Sequence, residues 1–288
     1  MTPDAPATPT PVRSPHDLRE RFERDGYVYP IPVLVEDDVR RYRDRYAAYV
    51  ERNRARLAAL PAKQKYLVMS ETHFALRWAY EIAAHPRILD AVEAVIGPNI
   101  LAWGTNWFSK MPGDKAYVSW HQDGTYWNLA PVKVVTAWLA LTPSSEMNGG
   151  LRVVPGSHVQ PMLPQRETYA PDNALSRGQE IAVDVDESQA VCLALRPGEM
   201  SLHHIWIVHG SNANTSDIPR IGLAIRYVSP EVRQDSPGKP HALLVRGRDD
   251  YGNFELLKPP TNDDPDPAEH EAIVRRIRAS IMLGAKGS

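Results

Sequence analysis

Along most of this chain the apolar residues recur at helical intervals near the two ends and at an interval of two through the middle. Between residues 36 and 60, Val39, Tyr42, Tyr46, Val50 and Leu57 are spaced as one stripe of a helix among many arginines, which predicts an amphipathic helix packed along one side. A second stripe, Ile88, Leu89, Val92, Val95 and Ile96, starts near Pro86 and meets Gly97-Pro98, a sequence that stops helices. A third, Ile273, Val274, Ile277 and Ile281, predicts a C-terminal helix over about 267–283. Between them, runs rich in β-branched and aromatic residues at 100–109, 117–123, 134–141, 151–154, 190–195, 200–209 and 221–228 predict a sheet of about eight strands. Asn148-Gly149-Gly150 supplies the positive φ angles of a tight turn, so the runs on either side of it are expected to form an antiparallel pair. Arg196-Pro197-Gly198-Glu199 predicts another turn. Residues 163–186 are polar and short of strand signals, and read as a long excursion of the kind that often covers a site.

Helices first, then strands, then a helix describe a mainly β fold, a barrel or sandwich buttressed by helices. A length of 288 residues suits one large domain. Residues 16–288 are therefore expected to form a single domain with its β core at about 100–228, and the Pro/Thr-rich residues 1–15 to be a disordered leader. Charge and cysteine usage narrow the partners. Lys and Arg total 33 against 35 Asp and Glu, so no global field favours nucleic acid or an anionic membrane. No apolar stretch approaches the roughly 20 residues that span a bilayer, and a small-molecule partner is expected. The single cysteine, Cys192, lies in an apolar run and reads as a packed residue rather than a nucleophile. One thiol can make neither an intramolecular disulfide nor a thiolate cage, which fits a reducing cytosol and directs a metal search to His and carboxylates.

In Trp120-His121-Gln122-Asp123-Gly124 the His and Asp are two apart on an expected strand, so both side chains leave one face and can converge on one ion. A His-x-Asp triplet alone is common, and its ordinary meaning is a hydrogen-bonded pair. A facial triad needs one more histidine, and His209 ends the apolar run Ile205-Trp206-Ile207-Val208. Two imidazoles and one carboxylate leave three positions of a six-coordinate iron(II) open, enough for a bidentate oxo-acid and dioxygen, whereas zinc more often holds only water. His203 and His204 compete with His209. Extended strand would put His203 about 20 Å from His209, too far to share an ion unless the chain bends; both read better as core or surface residues. His158 reads as a turn residue. On the strand that starts at Arg220, Arg220, Gly222, Ala224 and Arg226 share one face and Ile221, Leu223, Ile225 and Tyr227 the other. Arginines beside small residues suggest a barrel interior with room for a carboxylate gripped by a guanidinium. The pattern does not choose between Arg220 and Arg226.

The run at Trp120, Asn148-Gly149-Gly150-Leu151-Arg152-Val153-Val154-Pro155-Gly156-Ser157-His158, and His209-Gly210-Ser211-Asn212 followed by Pro219-Arg220 together resemble the phytanoyl-CoA dioxygenase family. The resemblance covers most of residues 100–228. It implies a double-stranded β-helix, iron(II) on His121, Asp123 and His209, and 2-oxoglutarate held through Arg220, with Ser211 helping to hold it and Trp138 lining its pocket. Arg226 is then free to pair with an anionic group of the substrate, and Trp127, Asn106 and Trp107 are pocket candidates. The implied reaction consumes 2-oxoglutarate and dioxygen, releases succinate and carbon dioxide, and hydroxylates an unactivated C–H bond of a small metabolite or natural-product intermediate. Halogenases that resemble this family carry Ala or Gly where Asp123 stands, so hydroxylation is favoured over chlorination. Cyclisation, desaturation, epimerisation, a non-catalytic metal-binding barrel and a zinc hydrolase are the alternatives.

Overall fold

The structure, a computed structural model, describes residues 14–61, 64–160, 162–175, 178–236 and 238–282. Its helices are α1 (Pro15–Asp25), α2 (Glu36–Arg52), α3 (Arg54–Ala59), α4 (Tyr66–Met69), α5 (Arg77–Ala83), α6 (Pro86–Ile96) and α7 (Pro267–Met282). Its strands are β1 (Tyr27–Pro32), β2 (Ile100–Lys110), β3 (Val118–His121), β4 (Leu129–Ala130), β5 (Val134–Ala140), β6 (Arg152–Val153), β7 (Gln165–Glu167), β8 (Gln179–Ile181), β9 (Val191–Cys192), β10 (Glu199–His204), β11 (His209–Ser211), β12 (Arg220–Val228), β13 (Arg233–Gln234), β14 (His241–Arg246) and β15 (Glu255–Leu256).

The strands form a major sheet in the order β1-β10-β5-β12-β2-β14-β15 and a minor sheet in the order β3-β11-β6-β9. This is the double-stranded β-helix expected from the sequence. One large apolar cluster joins Leu18 of α1, Tyr46 of α2, Ile82 of α5, Ile88 and Val92 of α6 and Ile277 of α7 to Leu223, Ile225 and Tyr227 of β12. Each such side chain, fully buried, contributes about 1.5–3 kcal/mol. The helices thus cover the outer face of the major sheet, and the alternation read in β12 decides which residues meet them. A second cluster, with Trp138, Ala140 and Ala224 from the major sheet and Val153 from the minor one, fills the space between the sheets. Among the described residues no helix is long and apolar enough to cross a membrane.

Four local expectations change. The chain is ordered two residues before position 16: Ser14 caps α1, its Oγ accepting from the Asp17 amide at 3.1 Å, and Pro15 opens the helix. Residues 1–13 of the expected leader lie outside the described residues. The helix expected over 36–60 breaks at Asn53, whose buried side chain donates to the Tyr49 carbonyl at 2.9 Å instead of pointing to solvent. The Asn148-Gly149 turn does not join a pair: β5 lies in the major sheet and β6 in the minor one. Asn148 takes a hydrogen bond from the Ser145 amide at 2.8 Å and donates to the Pro143 carbonyl at 2.8 Å, and Gly149 adopts φ 73°, so turn chemistry of the expected kind carries the chain across the sandwich. The run 200–209 is not one strand. Ile205 to Val208 turn between β10 and β11, with the Ile207 amide donating to the His204 carbonyl at 3.1 Å. Ile207 packs in the cluster between the sheets, Ile205 and the partly buried Trp206 in another with Leu101 and Phe254, and Val208 is buried. The excursion at 163–186 carries a small antiparallel pair, β7 with β8, which sits against β3.

Candidate metal centre and its cationic end

β3 and β11 are antiparallel neighbours, and their register sets His209 directly opposite His121. Their rings lie 4.1 Å apart between centroids. Asp123 arrives differently from the expected strand alternation. β3 ends at His121, and Asp123 opens a turn of 3₁₀ helix fixed by the Gly124 amide donating to the Ile205 carbonyl at 2.9 Å. A Cβ at Gly124 would stand 2.8 Å from the Trp206 ring, so this turn needs a glycine for its closeness to the β10–β11 corner. The ligating atoms of His121, Asp123 and His209 all lie within 4.8 Å of one another, with His121 Nε2 3.5 Å from an Asp123 oxygen.

The tautomers follow from the backbone. His121 Nδ1 lies 2.9 Å from the Ser119 carbonyl and His209 Nδ1 2.9 Å from the Ile207 carbonyl. A carbonyl only accepts, so each Nδ1 carries the proton and each Nε2 lone pair is free for a metal, the arrangement that metal-binding histidines commonly have. Burial pushes the His209 imidazole well below its ordinary pKa, towards the neutral form that can ligate. Burial alone would raise the Asp123 carboxyl. The nearby Arg226 and the His121 and His209 rings around it more than reverse that and hold it well below the usual carboxylate range.

The cavity between the sheets encloses about 510 Å³ of atom-free space, mouth included, and its walls include the triad, Thr136, Trp138, Leu175, His203, Ser211, Arg220 and Arg226. Arg220 and Arg226 mark its two ends along one face of β12. Gly222 between them is required: a Cβ there would meet the Trp138 ring at 2.1 Å. The Arg220 guanidinium lies 5.2 Å from the Trp138 ring centroid, is 2 % exposed, donates through Nη1 to the Gly149 carbonyl and leaves Nε without a partner. Ser211 accepts at Oγ from Lys110 Nζ at 2.7 Å.

Lys110 escaped the sequence reading. It ends β2, is 2 % exposed, and its cross-strand partner is Arg220. Two like charges directly opposite destabilise a sheet, and neither has an ion-pair partner at salt-bridge distance among the described residues. Burial, then the Arg220 charge, bring the Lys110 ammonium down to about 7, and burial brings Arg220 down to about 10. Nothing in the local sequence pairs position 110 with position 220; the register does.

The other candidates divide. Arg226 lines the cavity, donates to Asn106 Oδ1 at 2.8 Å, and lies 5.2 Å from the Trp127 ring centroid, so Asn106 and Trp127 flank it. Trp107 is not a pocket residue. Its side chain leaves the outer face of β2 into the helical core, against Tyr46 at 4.6 Å and Trp78 at 5.7 Å, and its Nε1 donates to Thr72. In a strand, neighbours such as Asn106 and Trp107 face opposite sides. Cys192 is half-buried and its thiol is pushed up to about 11, chiefly by burial, which keeps it protonated. His158 sits in a 3₁₀ turn at the surface of α1. His203, expected about 20 Å from His209, has its ring 5.0 Å from the His209 ring, because the corner at Ile205 to Val208 folds β11 back. The excursion closes the cavity from the β3 side. Leu175 is in its wall, the buried Gln122 accepts from the Leu163 amide at 2.8 Å and donates to the Trp206 carbonyl at 2.7 Å, and Asn173 donates to Ser119 Oγ at 2.8 Å.

A two-histidine, one-carboxylate cluster between the sheets of a double-stranded β-helix is the arrangement of a non-haem iron oxygenase. The model of the phytanoyl-CoA dioxygenase family matches residues 22–222, and the chain belongs to that family of Fe(II)/2-oxoglutarate-dependent oxygenases. It is similar to the non-heme monooxygenase ThoJ in its apo form, with 35% identity, a TM-score of 0.78 and coverage of 92% of this chain and 97% of that one. It is also similar to CytC3 with Fe(II) and alpha-ketoglutarate, with 26% identity, a TM-score of 0.63 and coverage of 86% and 95%. A probable alpha-ketoglutarate-dependent hypophosphite dioxygenase of Stutzerimonas stutzeri is 30% identical over 174 residues, 59% of this chain. The match spans 56% of that relative's length.

Proposed function

We propose that this protein is an Fe(II)/2-oxoglutarate dioxygenase that hydroxylates an unactivated C–H bond of a small metabolite or natural-product intermediate. One observation carries the reading: the cavity that brings His121, Asp123 and His209 together also holds, at one end, the buried cation Arg220 paired in register with Lys110. His121, Asp123 and His209 would hold the iron, and Arg220, with the Ser211 hydroxyl and the positive charge of the buried Lys110 behind them, would hold the distal carboxylate of 2-oxoglutarate against the Trp138 ring. When bound, iron and 2-oxoglutarate supply the oxidising power. One oxygen atom of dioxygen goes into succinate as carbon dioxide leaves, and the other goes into the substrate as hydroxyl.

The residues of the chain do the rest. Backbone carbonyls of Ser119 and Ile207 keep the imidazoles aimed. Asp123 fills the third protein position, which favours hydroxylation over halogenation. The excursion tied to Gln122 and Ser119 keeps water from the reacting carbon. Arg226, flanked by Asn106 and Trp127, stands at the opposite end from Arg220 and faces an anionic group of the substrate. Unchanged substrate affinity in Arg226→Ala would count against that role. We read residues 16–288 as one oxygenase unit, since a single apolar cluster runs from α1 to α7.

The test is an anaerobic titration with iron(II) and then 2-oxoglutarate, following the weak visible charge-transfer band of the chelate. The band is expected in the wild type and absent in His209→Ala. Folded, iron-loaded wild type without a band overturns the reading.

A further inference from the structure

His203 is the cavity residue that the proposed chemistry leaves without a task. It is 2 % exposed, it lines the cavity of the triad, and its ring lies 5.0 Å from that of His209. Its Nδ1 is buried and makes no hydrogen bond, whereas His121 and His209 both give theirs to backbone carbonyls. On the sheet it is the cross-strand partner of Thr136, which is in turn the partner of Arg226. The Thr136 hydroxyl lies 3.5 Å from an Asp123 oxygen. His203, Thr136 and Arg226 therefore make one polar row across β10, β5 and β12, on the cavity side of the major sheet, facing the triad. His203 is outside the group of atoms close enough to share an ion, so it is placed beside the metal position and not on it.

A buried polar atom with no partner is costly, and an apolar ring of the same shape would remove that cost. An imidazole retained there needs a partner, and the cavity is what it faces. The proposed function puts 2-oxoglutarate at the other end of the cavity, at Arg220 and Ser211. We propose that His203 is a further site residue whose imidazole would hydrogen-bond a small molecule, water or dioxygen, held in the cavity beside the position the triad offers to iron. The inference rests on the proposed function.

The probe is nitric oxide, a stand-in for dioxygen, added anaerobically to the full-length protein loaded with iron(II) and 2-oxoglutarate, with its affinity and electron paramagnetic resonance signal as readouts. In His203→Phe the charge-transfer band of the chelate is expected to persist, nitric oxide to bind about fivefold more weakly, and the rhombicity of the signal to change; fivefold is what a hydrogen bond of about 1 kcal/mol gives at 1.4 kcal/mol per decade. His203→Gln, which keeps a hydrogen-bonding group, is expected to recover most of the affinity. Wild-type affinity and signal in His203→Phe overturn the proposal. Should that variant fail to fold or to take iron, His203→Leu and His203→Gln carry the comparison, and equal affinities in those two overturn it. No charge-transfer band in the wild type is a different result, since it removes the proposed function before nitric oxide is added.

Discussion

Through Lys110, which lies behind Arg220, the affinity for 2-oxoglutarate is expected to depend on pH near neutrality. Burial and the Arg220 charge bring its ammonium down to about 7 in the ligand-free protein. A carboxylate bound at the neighbouring Arg220 and Ser211 opposes that shift, so the protonated form is the one expected to favour binding. With a folded pKa depressed to about 7, the ammonium is about 90% charged one unit below and about 10% charged one unit above. Affinity is therefore full in mild acid and falls as pH rises through 7, by about tenfold between pH 6 and pH 8. Stability runs the other way: between about 7 and the unfolded value near 10.5 the unfolded chain binds the extra proton, so the ligand-free fold gains stability as pH rises through that window, with an upper bound of about 5 kcal/mol. The assay is the charge-transfer titration repeated from pH 6 to pH 8 on wild type and Lys110→Met. The variant is expected to bind about tenfold more weakly at pH 6, to show no pH slope, and to approach the wild type at pH 8. Equal slopes in the two proteins, or a flat wild-type profile, refute the reasoning.

Two further substitutions test the packing that shapes the site. Gly222→Ala puts a methyl group where the Trp138 ring lies; overpacking of this kind costs about 1–3 kcal/mol, so the expected result is a lower melting temperature together with weaker 2-oxoglutarate binding, and a variant with wild-type values of both would show that the ring is free to move. Trp107→Ala is expected to cost about 3–5 kcal/mol in chemical denaturation while the folded fraction keeps a normal charge-transfer band; a stable variant with altered 2-oxoglutarate binding would return Trp107 to the pocket.

How much of this was legible in the sequence depends on the range of each interaction. Stripes such as Ile88, Leu89, Val92 and Ile96 were readable because one helix face meets one core, and all four are buried. The alternation in β12 was readable for the same reason: Leu223, Ile225 and Tyr227 meet the helices while Arg220, Ala224 and Arg226 line the cavity. Short strands on the minor sheet were less legible. β6 and β9 have two residues each, inside the longer runs read at 151–154 and 190–195; on the major sheet, β1 and β14, of six residues each, were not read. The pocket position of Trp138, on the inner face of β5, was implied by the family resemblance alone, and the strand pattern did not exclude Trp107, whose neighbour Asn106 is the one that turns towards Arg226. Lys110, Thr136 and His203 carry no local signal of a site at all.

The sequence by itself determined the class of element at most positions, the face on which each side chain of a long strand or helix lies, and the residue types on offer to a metal and a carboxylate. Those properties follow from local stereochemistry and from periodic burial, which a single strand or helix already possesses. The tertiary structure alone decided where the corners fall. The apolar run at Ile205 to Val208 fits strand spacing as well as it fits a packed corner, and only the docking of the two sheets selects the corner. That selection sets His209 opposite His121 and brings His203 within 5.0 Å of it. The register of β2 on β12 likewise makes neighbours of Lys110 and Arg220. Contacts of this kind join residues far apart in the chain, and their energy depends on the whole packed sandwich rather than on any local pattern.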